Sequence, residues 1–223
     1  MIGSLARGTA ALACLAILGA CGNNGDGRED AGFMGVAQQA VGQVITTGQT
    51  RRAAPKEAPP SPQAMAAEAL RVNPGPLIMA GLESMNSTQV LAMMGENGGM
   101  RTYMTKNKQA LIMRGGILTG TRGLGNDISV VEGEQVAALI RSGRSGQAQK
   151  VIRYYSGDGK ERPLPTFTCT VGPGPKPGVT LETCEGGGAK FENNYLVSGG
   201  NISVSRQWAG PGLGYITITQ LRP

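Results

Sequence analysis

"MRTYMTKNKQALIMRGGILTGTR", residues 100–122, packs three short β-leaning runs and two tight turns into one stretch. The runs are Met100 to Thr105, Gln109 to Arg114 and Ile117 to Arg122, parted by Lys106-Asn107-Lys108 and by Gly115-Gly116. A Gly-Gly pair between strand-forming runs is a two-residue hairpin signal, and connections this short cannot carry a crossover. The stretch therefore reads as an antiparallel meander.

The same texture extends in both directions. Upstream, strands are expected near Leu77 to Leu82 and Gln89 to Met94, joined to Met100 by the turn Glu96-Asn97-Gly98-Gly99. Downstream, they are expected at Gln149 to Tyr155, Arg162 to Val171, Val179 to Cys184, Lys190 to Val197, Asn201 to Trp208 and Tyr215 to Leu221. Glu132 to Arg141 places Val136, Leu139 and Ile140 at helical spacing and ends at Ser142-Gly143. Ser61-Pro62 opens another helix, which Asn73-Pro74-Gly75-Pro76 stops. The fold class is mainly β and antiparallel: about ten strands in a strongly curved sheet or barrel-like body with two or three short helices. Curvature is the expected way to hide so many strand edges.

The N-terminal portion is of another kind. The run from Gly8 to Ala20 is uncharged, follows Arg7, and is too short for a spanning helix, which needs roughly 20 apolar residues. It ends in Leu18-Gly19-Ala20-Cys21, the pattern of a bacterial lipoprotein signal. Residues 1–20 are expected to be the signal, and acylated Cys21 the first residue of the mature chain and its lipid anchor. Gly22 in place of a retention aspartate points to the periplasmic face of the outer membrane. Residues 21–60 read as a lipidated, flexible tether. Within it Phe33, Val36, Ala37, Ala40, Val41, Val44 and Ile45 form an apolar stripe, on a short helix that packs on the body or lies on the membrane. Residues 61–223 are the β domain.

Composition narrows the chemistry. The chain has no histidine, which removes the commonest general base and most transition-metal sites. With Cys14 in the signal and Cys21 acylated, Cys169 and Cys184 form one even pair, expected as a disulfide in an oxidising compartment. No cofactor and no metal is expected. The formal net charge of +6 favours anionic surfaces, and nucleic acid is not an expected partner in this compartment.

Several constellations have two readings. "GILTGTRGLGND" (116–127) centres on Arg122 but lacks the spacing of a phosphate cradle, and reads as a strand turning at Gly123 and Gly125. "SRQWAGPGLGYITI" (205–218) joins Arg206, Trp208 and Tyr215. That trio either presents a tryptophan face and an arginine fork to a ligand or anchors the core. The seven methionines from Met79 to Met113 read as core filling rather than as soft-metal ligands. Glu182, Glu185 and Glu192 invite a glycosidase reading, against which stands exposed surface charge.

"LTGTRGLGND" (118–127), "FTCTV" (167–171), "LETC" (181–184), "FENNY" (191–195) and "SRQWAGPGLGYITI" resemble the YjbF/GfcB family of bacterial lipoproteins, from roughly Ser61 to the end. Members tend to carry a tryptophan and an Asp-Gly turn where this chain has Tyr103 and Lys106-Asn107-Lys108. The resemblance implies a barrel-like β fold in the periplasm. It also implies an accessory, non-enzymatic role in exopolysaccharide or capsule export, beside outer-membrane export proteins and the polysaccharide itself. It assigns no catalytic residue. Arg122, Arg206, Trp208 and Tyr215 are the candidate ligand or partner surface. The alternatives are a periplasmic glycan-acting enzyme with paired carboxylates and a purely structural envelope scaffold.

Overall fold

The computed structural model describes residues 60–223. The signal, the anchor Cys21, the tether and its apolar stripe lie outside the described residues. Ser61 caps α1 (Pro62–Val72), its hydroxyl accepting from the Ala64 amide at 3.2 Å. Then come β1 (Leu77–Leu82), a 3-10 turn (Glu83–Met85), β2 (Ser87–Asn97), β3 (Met100–Met104), β4 (Ala110–Arg114), β5 (Ile117–Arg122) and β6 (Ile128–Glu132). After α2 (Glu134–Ser142) the chain continues through β7 (Gly146–Tyr155), β8 (Glu161–Pro163), β9 (Phe167–Pro173), β10 (Val179–Gly186), β11 (Ala189–Ser198), β12 (Asn201–Trp208) and β13 (Tyr215–Arg222). No helix among the described residues is long and apolar enough to cross a membrane.

The strands form one antiparallel sheet, ordered β5-β4-β3-β2-β1-β13-β12-β11-β10-β9-β7-β6, with β8 on β7. Most neighbours are hairpins, and four of the turns are Gly-Gly pairs with both residues at positive φ, including Gly115 (54°) and Gly116 (82°). Such a turn matches the twist of the strands it joins. The long-range join is β1 against β13, with Ala80 opposite Ile218. Arg222 at the end of β13 donates to the carbonyls of Leu70 and Asn73, tying the end of α1 to this join.

The sheet is curved but does not close into a hydrogen-bonded barrel. Its two end strands, β5 and β6, are consecutive in the chain and run side by side without a ladder. Side chains hold them together. Thr121 Oγ1 accepts from the Ile128 amide at 2.9 Å and donates to Asp127 at 2.8 Å, and Arg122 donates to the Ile128 carbonyl at 2.9 Å. The exposed edge of β5 is met from β12 by buried Gln207. Its amide accepts from the Leu118 N–H at 2.9 Å and donates to the Gly116 carbonyl at 3.0 Å, as a paired strand would.

One core runs through the body. It is built from Ile78, Leu91, Tyr103, Leu111 and Leu118 on one side and Phe167, Val171, Phe191, Tyr195 and Ile216 on the other, with Val136 and Ile140 of α2 fully buried. Gly143, at φ 64°, ends α2 by donating to the Ile140 carbonyl while Arg144 donates to Leu139.

Three sequence expectations need correction. Among the described residues thirteen strands form rather than about ten, and Arg162 to Val171 is two strands, because Pro163 and Pro165 cannot donate to a ladder. Ile128–Glu132 is a strand, so α2 starts at Glu134 and not at Glu132. The methionines fill the core only in part: of the seven, Met113 is buried and half-buried Met93 packs against the core, while Met85, Met94 and Met100 are exposed, Met94 at 67%. The strand alternation was real, but its apolar face held the isoleucines and leucines and left most thioethers outside.

Candidate functional site

The four candidate surface residues do not all converge: Arg206, Trp208 and Tyr215 are neighbours on one face of the sheet, Trp208 directly opposite Tyr215, and Arg122 lies apart. Arg206 and Tyr215 lie on adjacent strands, with the guanidinium 3.5 Å from the ring centroid. The arginine is already engaged: it forks onto Glu83, each carboxylate oxygen accepting at 2.7 Å. Hydrogen bonds from Arg206 hold the Glu83 carboxyl below its ordinary range. Trp208 is half-buried, stacked on Phe191 at 4.4 Å and edge-on to Phe167 at 6.1 Å. One tryptophan face is thus covered, as the core-anchor reading expects. Arg122 stands apart, at the β5–β6 seam.

The three glutamates do not converge either. Glu182 points inward and is fully buried, while Glu185 and Glu192 are exposed and Glu185 pairs with Lys190 at 2.7 Å. Glu182 is the centre of a buried network. One oxygen accepts from the Lys150 ammonium, and the other accepts from Asn193 and from the Tyr195 hydroxyl, each at 2.8 Å. Burial, then the neighbouring Glu182 charge, pushes the Tyr195 hydroxyl well above its ordinary pKa. Asn193 in turn accepts from the Trp208 amide at 2.6 Å.

Beside this network lies the Cys169–Cys184 disulfide, joining directly opposed residues of β9 and β10. The two sulfurs and a Glu182 oxygen lie within 4.8 Å of one another. The sulfurs are bonded to each other, so no thiolate is available to hold a metal. The network was legible in part. Cys184 was expected in a disulfide, and Glu182, two residues earlier on the same strand, must share its inward face.

One concavity was not anticipated. A groove of about 1300 Å³ is bounded by β2–β5, β6 and α2. Ile112, Ile117, Val130, Ala137 and Ile140 give it an apolar floor. Arg114, Arg122, Arg141 and Lys150 supply cations, and Glu96, Glu132 and Glu134 supply acids. Each acid has a cation: Glu134 meets Arg114 at 3.0 Å, Glu96 meets Arg101 at 2.9 Å and Glu132 meets Arg153 at 3.6 Å. Lys150 is held by Glu182. Among the described residues, no carboxylate lies within ion-pair distance of Arg122 or Arg141, and no aromatic side chain lines the groove. Of the four candidate residues, Arg122 alone belongs to it.

Two sequence motifs meet beside the seam. The Asp127 carboxylate accepts from the amides of Gly123, at 2.8 Å, and Leu124, at 3.1 Å, and so closes the β5–β6 loop. Gly212 of the β12–β13 loop packs on this loop so closely that a Cβ there would lie 2.5 Å from the Asn126 side chain.

The family model described as "Group 4 capsule polysaccharide lipoprotein gfcB, YjbF" matches residues 40–221, beginning upstream of Ser61. No curated protein matches the chain. Among solved structures, the hypothetical lipoprotein YmcC from Escherichia coli (K12) is similar in fold. The TM-score is 0.61 over 73% of this chain and 90% of that one, at 15% identity. With the match spanning both motif loops, every strand and both helices, the chain belongs to the YjbF family of group 4 capsule polysaccharide lipoproteins.

Proposed function

We propose that the mature chain is held by acylated Cys21 at the periplasmic face of the outer membrane. There it serves, without catalysis, as an accessory in the export or assembly of an exopolysaccharide or capsule, its groove receiving a stretch of the polymer. The observation that carries this reading is the family match over residues 40–221. The groove supports it: an open channel with an apolar floor and charged walls suits the alternating apolar faces and polar edges of a glycan. The distribution of acids supports a non-catalytic role. Glu182 is consumed by Lys150, Asn193 and Tyr195, and each glutamate of the groove is paired with a cation. A glycosidase instead needs two carboxyl groups facing one substrate.

The test is a clean deletion in a polymer-producing host, with surface-exposed and cell-retained polysaccharide quantified separately. Surface polymer is expected to fall, to return with the wild-type chain, and not to return with Cys21→Ser. Unchanged surface polymer in the deletion strain would refute the export role. Full rescue by Cys21→Ser would refute the anchor.

A further inference from the structure

We infer that the groove selects an acidic polysaccharide, one bearing sugar carboxylates, and that Arg122 and Arg141 are the groups that read those carboxylates. This rests on the reading of the groove as a glycan site and adds the chemical class of the glycan.

Positive charge is left over in the groove after internal pairing. Every glutamate lining the groove has a cation of this chain within 3.6 Å, and Lys150 is consumed by Glu182. Arg122 and Arg141 remain, toward the two ends of β5: Arg122 is its last residue, and Arg141, in the last turn of α2, lies against the turn that precedes β5. Arg122 uses one nitrogen, Nη1, to bond the carbonyls of Thr121 and Ile128. The guanidinium also lies 5.9 Å from the Tyr155 ring centroid, but of its five N–H donors those on Nε and Nη2 make no hydrogen bond. The Arg141 guanidinium lies against the β4–β5 turn, Nη1 being 3.2 Å from where a Cβ on Gly115 would stand. It is thereby held at the groove wall without a carboxylate.

Arg114, also in the lining, has a buried Nε that makes no hydrogen bond. A neutral glycan is ordinarily gripped by aromatic faces, and none lines this groove. Guanidinium forks match planar carboxylates, and two of them flanking an apolar floor suit a polymer whose acid groups recur along its length.

The test uses the mature chain from residue 21 with Cys21→Ser, which needs no detergent. The probes are an oligogalacturonate and the same oligomer with its carboxyl groups reduced to alcohols. By titration calorimetry at low salt, the acidic oligomer is expected to bind at least about tenfold more tightly than the reduced one. R141E is expected to weaken that binding at least about tenfold, and R122Q to weaken it as well. Because Arg122 also braces the seam, R141E is the deciding variant. K176E, in the exposed β9–β10 loop, makes the same change in net charge as R141E and is expected to leave binding unchanged.

Equal binding of the two oligomers, or an R141E affinity unchanged from the parent, would overturn the inference while leaving the glycan site standing. A loss with K176E as large as with R141E would overturn it in the same way. Binding of neither oligomer would overturn the site itself. If R141E abolished adsorption to phosphatidylglycerol vesicles but spared oligomer binding, the two charges would serve a lipid surface, and the inference would fall.

Discussion

Removing the ammonium at Lys150 leaves the Glu182 carboxylate buried with only two neutral donors. Glu182 is 0% exposed and Lys150 5%, so water cannot take the place of the lost partner. Asn193 and Tyr195 would still donate to one oxygen, and the other would face hydrocarbon and the disulfide. Breaking a buried ion pair from one side costs about 3–5 kcal/mol, whereas replacing both partners with apolar side chains of similar size is often neutral or stabilising. K150M is therefore expected to be the damaging change and K150M/E182L the milder one. With a urea m-value of about 2 kcal/mol/M, the single variant should lower the midpoint by roughly 1.5–2.5 M. Trp208 fluorescence provides the assay, since its amide bonds to Asn193 within the same network. If K150M unfolds within about 1 kcal/mol of the wild type, or if the double variant costs more than K150M alone, then the buried-charge argument is wrong.

Three further outcomes follow from the packing. Reducing Cys169–Cys184, which closes a 15-residue separation, should lower stability by about 3 kcal/mol while the far-ultraviolet spectrum of the folded state stays unchanged; paired urea titrations with and without reductant measure this. Q207A strands the Leu118 N–H and the Gly116 carbonyl at the β5 edge, and should cost about 1–3 kcal/mol and speed hydrogen exchange at Leu118. Glu83, its pKa depressed by Arg206, contributes stability that is present above the unfolded glutamate pKa of about 4.3 and is lost as pH falls through the lower folded value. R206Q should remove that part of the acid limb. Both groups are about 40% exposed, so screening holds the effect near or below about 1 kcal/mol, read from midpoints at pH 6 and pH 3.

How much of this was legible in the sequence depends on how far apart the partners lie. The hairpins were readable because a Gly-Gly turn and its flanking strands are local, and Gly115-Gly116 leaves little choice of register. The closure of β1 on β13 was not, since it joins segments at opposite ends of the domain whose pairing no local spacing encodes; the β5–β6 seam is local, and it was missed because Ile128–Glu132 was not read as a strand. Alternation told which residues share a face but not which face turns inward, and the methionines were misread for that reason. Where one residue's burial was independently indicated, as with Cys184 in a disulfide, period 2 would have carried the inference to Glu182, and Lys150 between Ala148 and Ile152 offered the same clue on β7.

The groove escaped notice for a different reason. Its arginines come from β4, β5 and α2, each at a position that looks like ordinary exposed charge, and only the fold shows which of them lack a carboxylate. Tryptophan drew attention instead, because its side chain is chemically conspicuous wherever it lies. In this chain the indole packs on Phe191, and the guanidinium groups of the groove stand out through unequal pairing rather than through residue type. A search of related sequences for function should therefore follow the charge balance of the β5–α2 wall, where gain or loss of one glutamate changes the site as much as loss of an arginine.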